Sequence, residues 1–388
     1  MEREIYIVGH LPALDGASQG LVFTHDLANA LRNRGHSVIV VAQRGAWCDP
    51  DARYEQANIW QPGSAGCFVS IYRFLRARRA RVVNIQHDSY VFGSLTLNAL
   101  FLVFLALCRL RGMRVVTTMY NAMSALALRE FHDAGSFARK GIVPLLFFGY
   151  RFLVVCVGLL SSEVVVAHPL GLKAFPRSTR TRVSFIPLVA VPRSIPASEV
   201  ERVRAEYALP ERYVLFFGSL SRYKGVEAFI EAARALSDRI SFVITGAFIG
   251  ALGEGSEAYR YYYEQTRADA ERAKIRWLGY IPERNVNPLL KGCRALVLPY
   301  IAAGGSSGPL ATGASLDVPM LVSPKLEVSE FSEVGIEPTG AGVRAAIERL
   351  LDNSSYSAAV VEAGRRFVES HSAEAATTGY VEALLARA

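Results

Sequence analysis

Cysteine is scarce in this 388-residue chain: Cys48, Cys67, Cys108, Cys156 and Cys293 are widely spaced and none sits in a CxxC or Cys/His ligand pattern. Such a scattered, odd set builds neither a disulfide framework nor a zinc site, so no metal is expected and a reducing, cytoplasmic setting is. A glycine fingerprint directly after the first strand-like run is missing, as is the Walker lysine loop, which excludes the usual dinucleotide and P-loop readings. The start, "MEREIYIVGH", mixes charges of both signs and runs straight into a strand-like stretch, which does not read as a secretory signal. Uninterrupted apolar runs are also lacking. "LNALFLVFLALCRL" (Leu97 to Leu110) is too short to span a bilayer, and "GIVPLLFFGYRFLVVCVGLLS" (Gly141 to Ser161) carries Pro144 near its start and Arg151 at its centre. Each is expected to be a buried helix or one lying in a membrane interface.

What is present is an apolar, two-domain composition, with 51% hydrophobic and 20% charged residues in a chain too long for one core. The net charge of +8 is lopsided: residues 1–190 hold 21 Lys+Arg against 11 Asp+Glu, and the rest 22 against 24. A basic first half suits an anionic membrane surface, an acidic acceptor or nucleic acid, or is simply a solvated helix face. The densest run, "RFLRARRAR" (Arg73, Arg76, Arg78, Arg79, Arg81), lacks interleaved aromatics and any nucleic-acid motif, so the membrane is preferred and no nucleic-acid partner is expected.

Short Val/Ile-rich runs alternate with helical stretches: "IYIVGH", "SVIVVAQ", "RVVNIQH", "RVVTTMY" and "SEVVVAH", then "YVLFFGS", "ISFVITG", "IRWLGY", "ALVLPY" and "PMLVS". Continuous rather than alternating apolar runs predict parallel strands covered on both faces, hence two doubly wound α/β domains. Three prolines in "PLVAVPRSIP" (Pro187 to Pro196) mark the junction. The resulting division is an N-terminal domain over 1–190, a C-terminal domain over 191–372 and a final helix over 373–388, expected to pack back on the first domain.

In open α/β sheets ligands sit beyond the carboxyl ends of strands. There "FFGSLSRYKG" offers Gly218 for close approach, then Arg222 and Lys224 ahead of a helix, a pairing suited to a diphosphate. "PYIAAGGSSGPLATGASLDVPMLVS" offers a second candidate, a Gly/Ser turn (Ser306, Ser307, Gly308) opening a helix whose first position suits Pro309. A third is "VGHLPALDGASQG", with Gly16 and Gly20 before the first helix. His87 and Asp88, at a strand end in "IQHDS", and His25, one turn into that helix, are further candidates or ordinary structural residues.

"GSLSRYKGVEAFIEAARAL" resembles the lysine turn of retaining glycosyltransferases of family 4. "DLANALRNRGHSVIVVA", "VVNIQHDSYVFGS", "RVVTTMYNA", "IRWLGYIPERNVNPLLKGCRALVLPY" and "ATGASLDVPMLVS" resemble further segments of that family, in order, over nearly the whole chain. The resemblance implies a GT-B fold, two Rossmann-like doubly wound parallel-sheet domains facing across a cleft, with a nucleotide-diphosphate sugar (UDP- or GDP-linked) held by the second and a lipid-linked or polysaccharide acceptor by the first. Position by position, Arg222 and Lys224 would neutralise the donor diphosphate without a metal or other cofactor. Tyr280, Ile281 and Glu283 would flank the base and ribose, Ser306, Ser307 and Gly308 would meet the phosphates, and Gly16 would lie beneath the sugar. The two glutamates the family usually carries eight positions apart fall here at Gly304 and Thr312, and its fourth-strand histidine at Tyr120. The expected activity is hexosyl transfer, with Tyr120 and His87 beside the reacting groups, on a cytoplasmic or peripheral membrane protein. The alternatives are an inactive sugar-nucleotide-binding partner of another transferase and a GT-B sugar-nucleotide epimerase.

Overall fold

The computed structural model describes residues 4–11, 22–48, 51–87, 92, 97–122, 143–246, 257–302 and 306–386. The chain divides into two compact units. One takes the described residues of Met1–Leu126, Gly141–Val189 and His371–Ala388, the other those of Ala190–Ser370.

The first unit is a seven-stranded sheet. In chain order the strands are β1 (Ile5–Val8), β2 (Val38–Gln43), β3 (Glu55–Trp60), β4 (Val82–His87), β5 (Arg114–Met119), β6 (Glu163–Val166) and β7 (Val183–Phe185), and across the sheet the order is β3-β2-β1-β4-β5-β6-β7. Every pairing is parallel. Strands β1, β2 and β4 are buried at every position, which is why they read as unbroken apolar runs. Helices α2 (Cys67–Ala77), α3 (Leu97–Leu110) and α4 (Val143–Leu160) share one core against the sheet, built around Phe68, Ile71, Phe101, Phe104, Val154 and Val157.

The first unit also includes α1 (Val22–Asn33). The second unit holds β8 (Tyr213–Phe217), β9 (Ser241–Thr245), β10 (Arg276–Gly279), β11 (Ala295–Leu298) and β12 (Met320–Val322), ordered β10-β9-β8-β11-β12 and again parallel throughout. Its helices are α5 (Ala197–Glu206), α6 (Val226–Leu236), α7 (Glu257–Arg272), α8 (Glu283–Gly292), α9 (Gly308–Ser315), α10 (Gly340–Asp352) and α11 (Ser354–Ser370). The chain then returns to the first unit as α12 (Ala373–Leu385), where Arg114 donates from Nε to the Ala383 carbonyl at 2.9 Å and Tyr380 meets Thr118 at 3.1 Å.

All ten runs read as strands are strands. The two additional ones, β3 and β7, are sheet edges with partly exposed residues, so their composition lacks the apolar signature of a central strand. The apolar stretch around Arg151 is α4, buried on one side at Leu153, Val154 and Val157 and exposed on the other. Among the described residues no helix is long and apolar enough to cross a membrane.

Candidate functional site

In the second sheet β8 and β11 are neighbours, paired Ala295 to Val214 and Leu296 to Leu215, although β9, β10 and three helices come between them in sequence. The chain order reverses there, so the turns leaving their carboxyl ends diverge and open a crevice. The lysine turn follows β8 and the Gly/Ser turn follows β11, and this adjacency brings together two candidates that are about 80 residues apart in sequence.

Arg222, Tyr223 and Lys224 form one turn of 3-10 helix. Gly225 closes it at φ 68°, where a Cβ would stand 2.0 Å from the Pro299 carbonyl oxygen, so only glycine lets the turn seat against the end of β11. The Ile301 amide completes the clasp by donating to the Tyr223 carbonyl at 2.8 Å. Gly218 adopts φ 135°, and a Cβ there would lie 3.0 Å from Lys224 Nζ and 3.3 Å from the Pro309 ring. The Lys224 ammonium is therefore packed between the start of the β8 turn and the start of α9.

Lys224 is only 7% exposed. Its ammonium lies 5.6 Å from the Tyr300 ring centre and 5.9 Å from that of Tyr223, and among the described residues no carboxylate pairs with it. Burial lowers its pKa from 10.5 to about 8. Arg222 is exposed, its guanidinium 4.8 Å over the ring of Tyr262 on α7. Both cations stand at the N-terminal end of α6, whose own dipole repels them, and Gly225 provides no side-chain cap. An ammonium buried without a counter-ion among the described residues, beside an exposed guanidinium and two helix starts, is a site for a multiply charged anion.

Ser307 is the N-cap of α9: its Oγ accepts from the Leu310 amide at 3.3 Å and lies 3.2 Å from the Tyr300 hydroxyl. Its hydroxyl is thus engaged in building the helix start, while Gly308 has nothing within 4 Å of where a side chain would grow. Glu283 opens α8 at the surface, with its proton affinity raised by partial desolvation and lowered by Arg193. Tyr280 is exposed and Ile281 buried. The tyrosines are what sequence reasoning missed: Tyr223, Tyr262 and Tyr300 wall the two cations, and the one available signal was Tyr300 just past the end of β11, after Pro299.

In the first unit, Tyr120 follows β5, is buried, and donates its hydroxyl proton to the Gln86 side-chain carbonyl. His87 ends β4 at 1% exposure, stacked on Phe101 with ring centres 4.5 Å apart and Nε2 3.2 Å from Asn98 Oδ1. Burial lowers its pKa to about 4, so it is neutral at physiological pH and belongs to an aromatic cluster rather than to an open surface. His25 is held by Tyr54 at 2.9 Å and Asn29 at 3.0 Å, one contact on each ring nitrogen. Gly16, Gly20, Asp88 and Gly304 lie outside the described residues.

Residues 211–353 match the family model described as Glycosyl transferases group 1. No curated protein matches the chain. Solved structures do: Anabaena HepE in complex with UDP and glucose at a TM-score of 0.70 and 11% identity, covering all of both chains. Sucrose-phosphate synthase from Thermosynechococcus elongatus matches at 0.68 and 14%, covering 98% of each chain. WaaG, a glycosyltransferase involved in lipopolysaccharide biosynthesis, matches at 0.63 and 14%, covering 99% of this chain and all of that one. The fold is GT-B, and its second unit carries the match to a glycosyltransferase family.

Proposed function

We propose that this protein is a retaining glycosyltransferase of family 4, transferring a hexosyl group from a UDP- or GDP-sugar to a lipid-linked or polysaccharide acceptor. The observation that carries the reading is the Lys224 ammonium, buried where the β8 and β11 turns meet and paired with no carboxylate among the described residues. A donor diphosphate would supply the missing negative charge, and Arg222 would take further phosphate oxygens as a fork. The HepE structure holds UDP and glucose, which is consistent with this class of donor.

In the reaction the bond between the anomeric carbon and the diphosphate oxygen breaks, and a bond from that carbon to an acceptor oxygen forms on the same face. The acceptor proton passes to the departing phosphate oxygen. As the leaving group gains charge, Lys224 and Arg222 stabilise it in a site that needs no reorganisation, and no metal is assigned a role. Acceptor recognition is assigned to the first unit, with Tyr120 as a hydrogen-bonding candidate.

A second reading, a sugar-nucleotide-binding partner without turnover, is favoured by uncharged Thr312 on α9 at a position where the resembling family usually carries glutamate. A panel of UDP- and GDP-sugars screened by thermal shift identifies the donor, since a ligand in excess over its Kd raises the melting temperature. Slow release of nucleoside diphosphate from that donor then supports a transferase. Binding without release supports the partner reading, interconversion of sugars without release an epimerase, and no shift with any donor overturns the assignment.

A further inference from the structure

Helix α3 lies between α2 and α4 on one side of the first sheet. Its inner side packs Phe101, Phe104, Leu105 and Cys108 into the core, yet its outer side is apolar as well. Leu100, Val103, Leu107 and Leu110 recur every three or four residues, with Val103 55% and Leu110 83% exposed. On α4 the outward residues Phe148, Phe152 and Leu159 continue this stripe, the two phenylalanines 73% and 57% exposed. A chain that folds with so much apolar surface in water normally covers it.

The charges around the stripe identify the cover. Helices α2, α3 and α4 contain no Asp or Glu at all, while Arg73, Arg76, Arg109 and Arg151 lie on them and Arg111 just beyond α3. Arg73, Arg76, Arg111 and Arg151 are exposed, and their side chains make no hydrogen bond or ion pair among the described residues. A second copy meeting this face by two-fold symmetry would bury the apolar stripe but set arginines against arginines, with no carboxylate on these helices to separate them. An anionic bilayer satisfies both parts, taking the apolar side chains at the boundary of its hydrocarbon and the guanidinium groups at its phosphates.

We propose that the outer face of α2, α3 and α4 is a peripheral docking surface for an anionic lipid bilayer. The surface is separate from the donor site and stands whether or not the chain is a transferase.

Flotation with vesicles of phosphatidylcholine alone and of phosphatidylcholine mixed with phosphatidylglycerol tests this. The full chain floats with the mixed vesicles only, and high salt weakens the association. Replacing Arg73, Arg76 and Arg151 together by glutamine lowers the affinity on the order of 100-fold, at roughly fivefold per arginine. Val103→Glu with Leu107→Glu abolishes flotation, and the milder Val103→Ser with Leu107→Ser weakens it, with melting temperature and donor binding as checks that the variants fold. Equal behaviour towards both vesicle types, no flotation of the wild type, or a concentration-dependent dimer in ultracentrifugation that Val103→Ser with Leu107→Ser dissociates while vesicles remain unbound, overturns the proposal.

Discussion

Lys224 is held in a state that suits a ligand better than it suits the empty protein. Desolvation lowers its pKa from 10.5 to about 8, so the charged form is disfavoured in the fold relative to the unfolded chain. The unfolded state binds the extra proton between those values, so the unliganded protein gains stability as pH rises from about 8 towards 10.5. For the same reason Lys224→Met should raise the melting temperature of the unliganded protein, by about 1–3 kcal/mol of stability at neutral pH, while abolishing the shift that a sugar nucleotide produces. Thermal unfolding with and without donor checks both halves, and a purely structural lysine would instead lose stability. His87 behaves in the opposite pH range. Its pKa falls from 6.5 to about 4 through burial, so the stability it confers is complete above 6.5 and drains away as pH falls towards 4. Denaturant melts across that window should show a loss on the order of 3 kcal/mol that His87→Phe largely removes. The pairing of Arg222 with Lys224 was legible from residue type and position at a strand end. The burial of His87 was not, because its partners Phe101 and Asn98 lie on a helix whose docking no local spacing reveals.

Among the elements, central strands announced themselves and edges did not. The run Val82–His87 is buried throughout and reads as a strand by itself, whereas Glu55–Trp60 presents polar residues on a sheet edge and is a strand because β2 offers it hydrogen bonds. The adjacency of β8 and β11 was not legible in the sequence, because strand order in a doubly wound sheet is set by how the crossovers pack, and it is what joins the two turns into one site. Two substitutions separate the roles of those turns. Gly225→Ala would force a methyl group to within 2.0 Å of the Pro299 oxygen and should displace the whole lysine turn, lowering the melting temperature and donor affinity together. Ser307→Ala removes the cap on the Leu310 amide and should cost about 0.5–2 kcal/mol of stability in chemical denaturation.

For the whole molecule, part of the positive excess of residues 1–190 lies on Arg73, Arg76 and Arg151, which meet no carboxylate among the described residues, while the second unit uses many of its arginines in exposed ion pairs such as Arg202 with Glu199 and Arg365 with Asp317. Exposed pairs of that kind add little stability, so the second unit's net charge near zero is balanced without being rigid. What the two units share is architecture, parallel strands with helices on top, and what distinguishes the second is a cation buried at the reversal of its strand order. The most direct measurement is a calorimetric titration of UDP-glucose, or of whichever sugar nucleotide shifts the melting temperature, at about pH 8.5 in buffers of differing ionisation enthalpy. If the diphosphate seats against Lys224, binding restores its proton and the wild type takes up a substantial fraction of one proton per ligand. Tight binding by the wild type with no proton uptake would contradict the site.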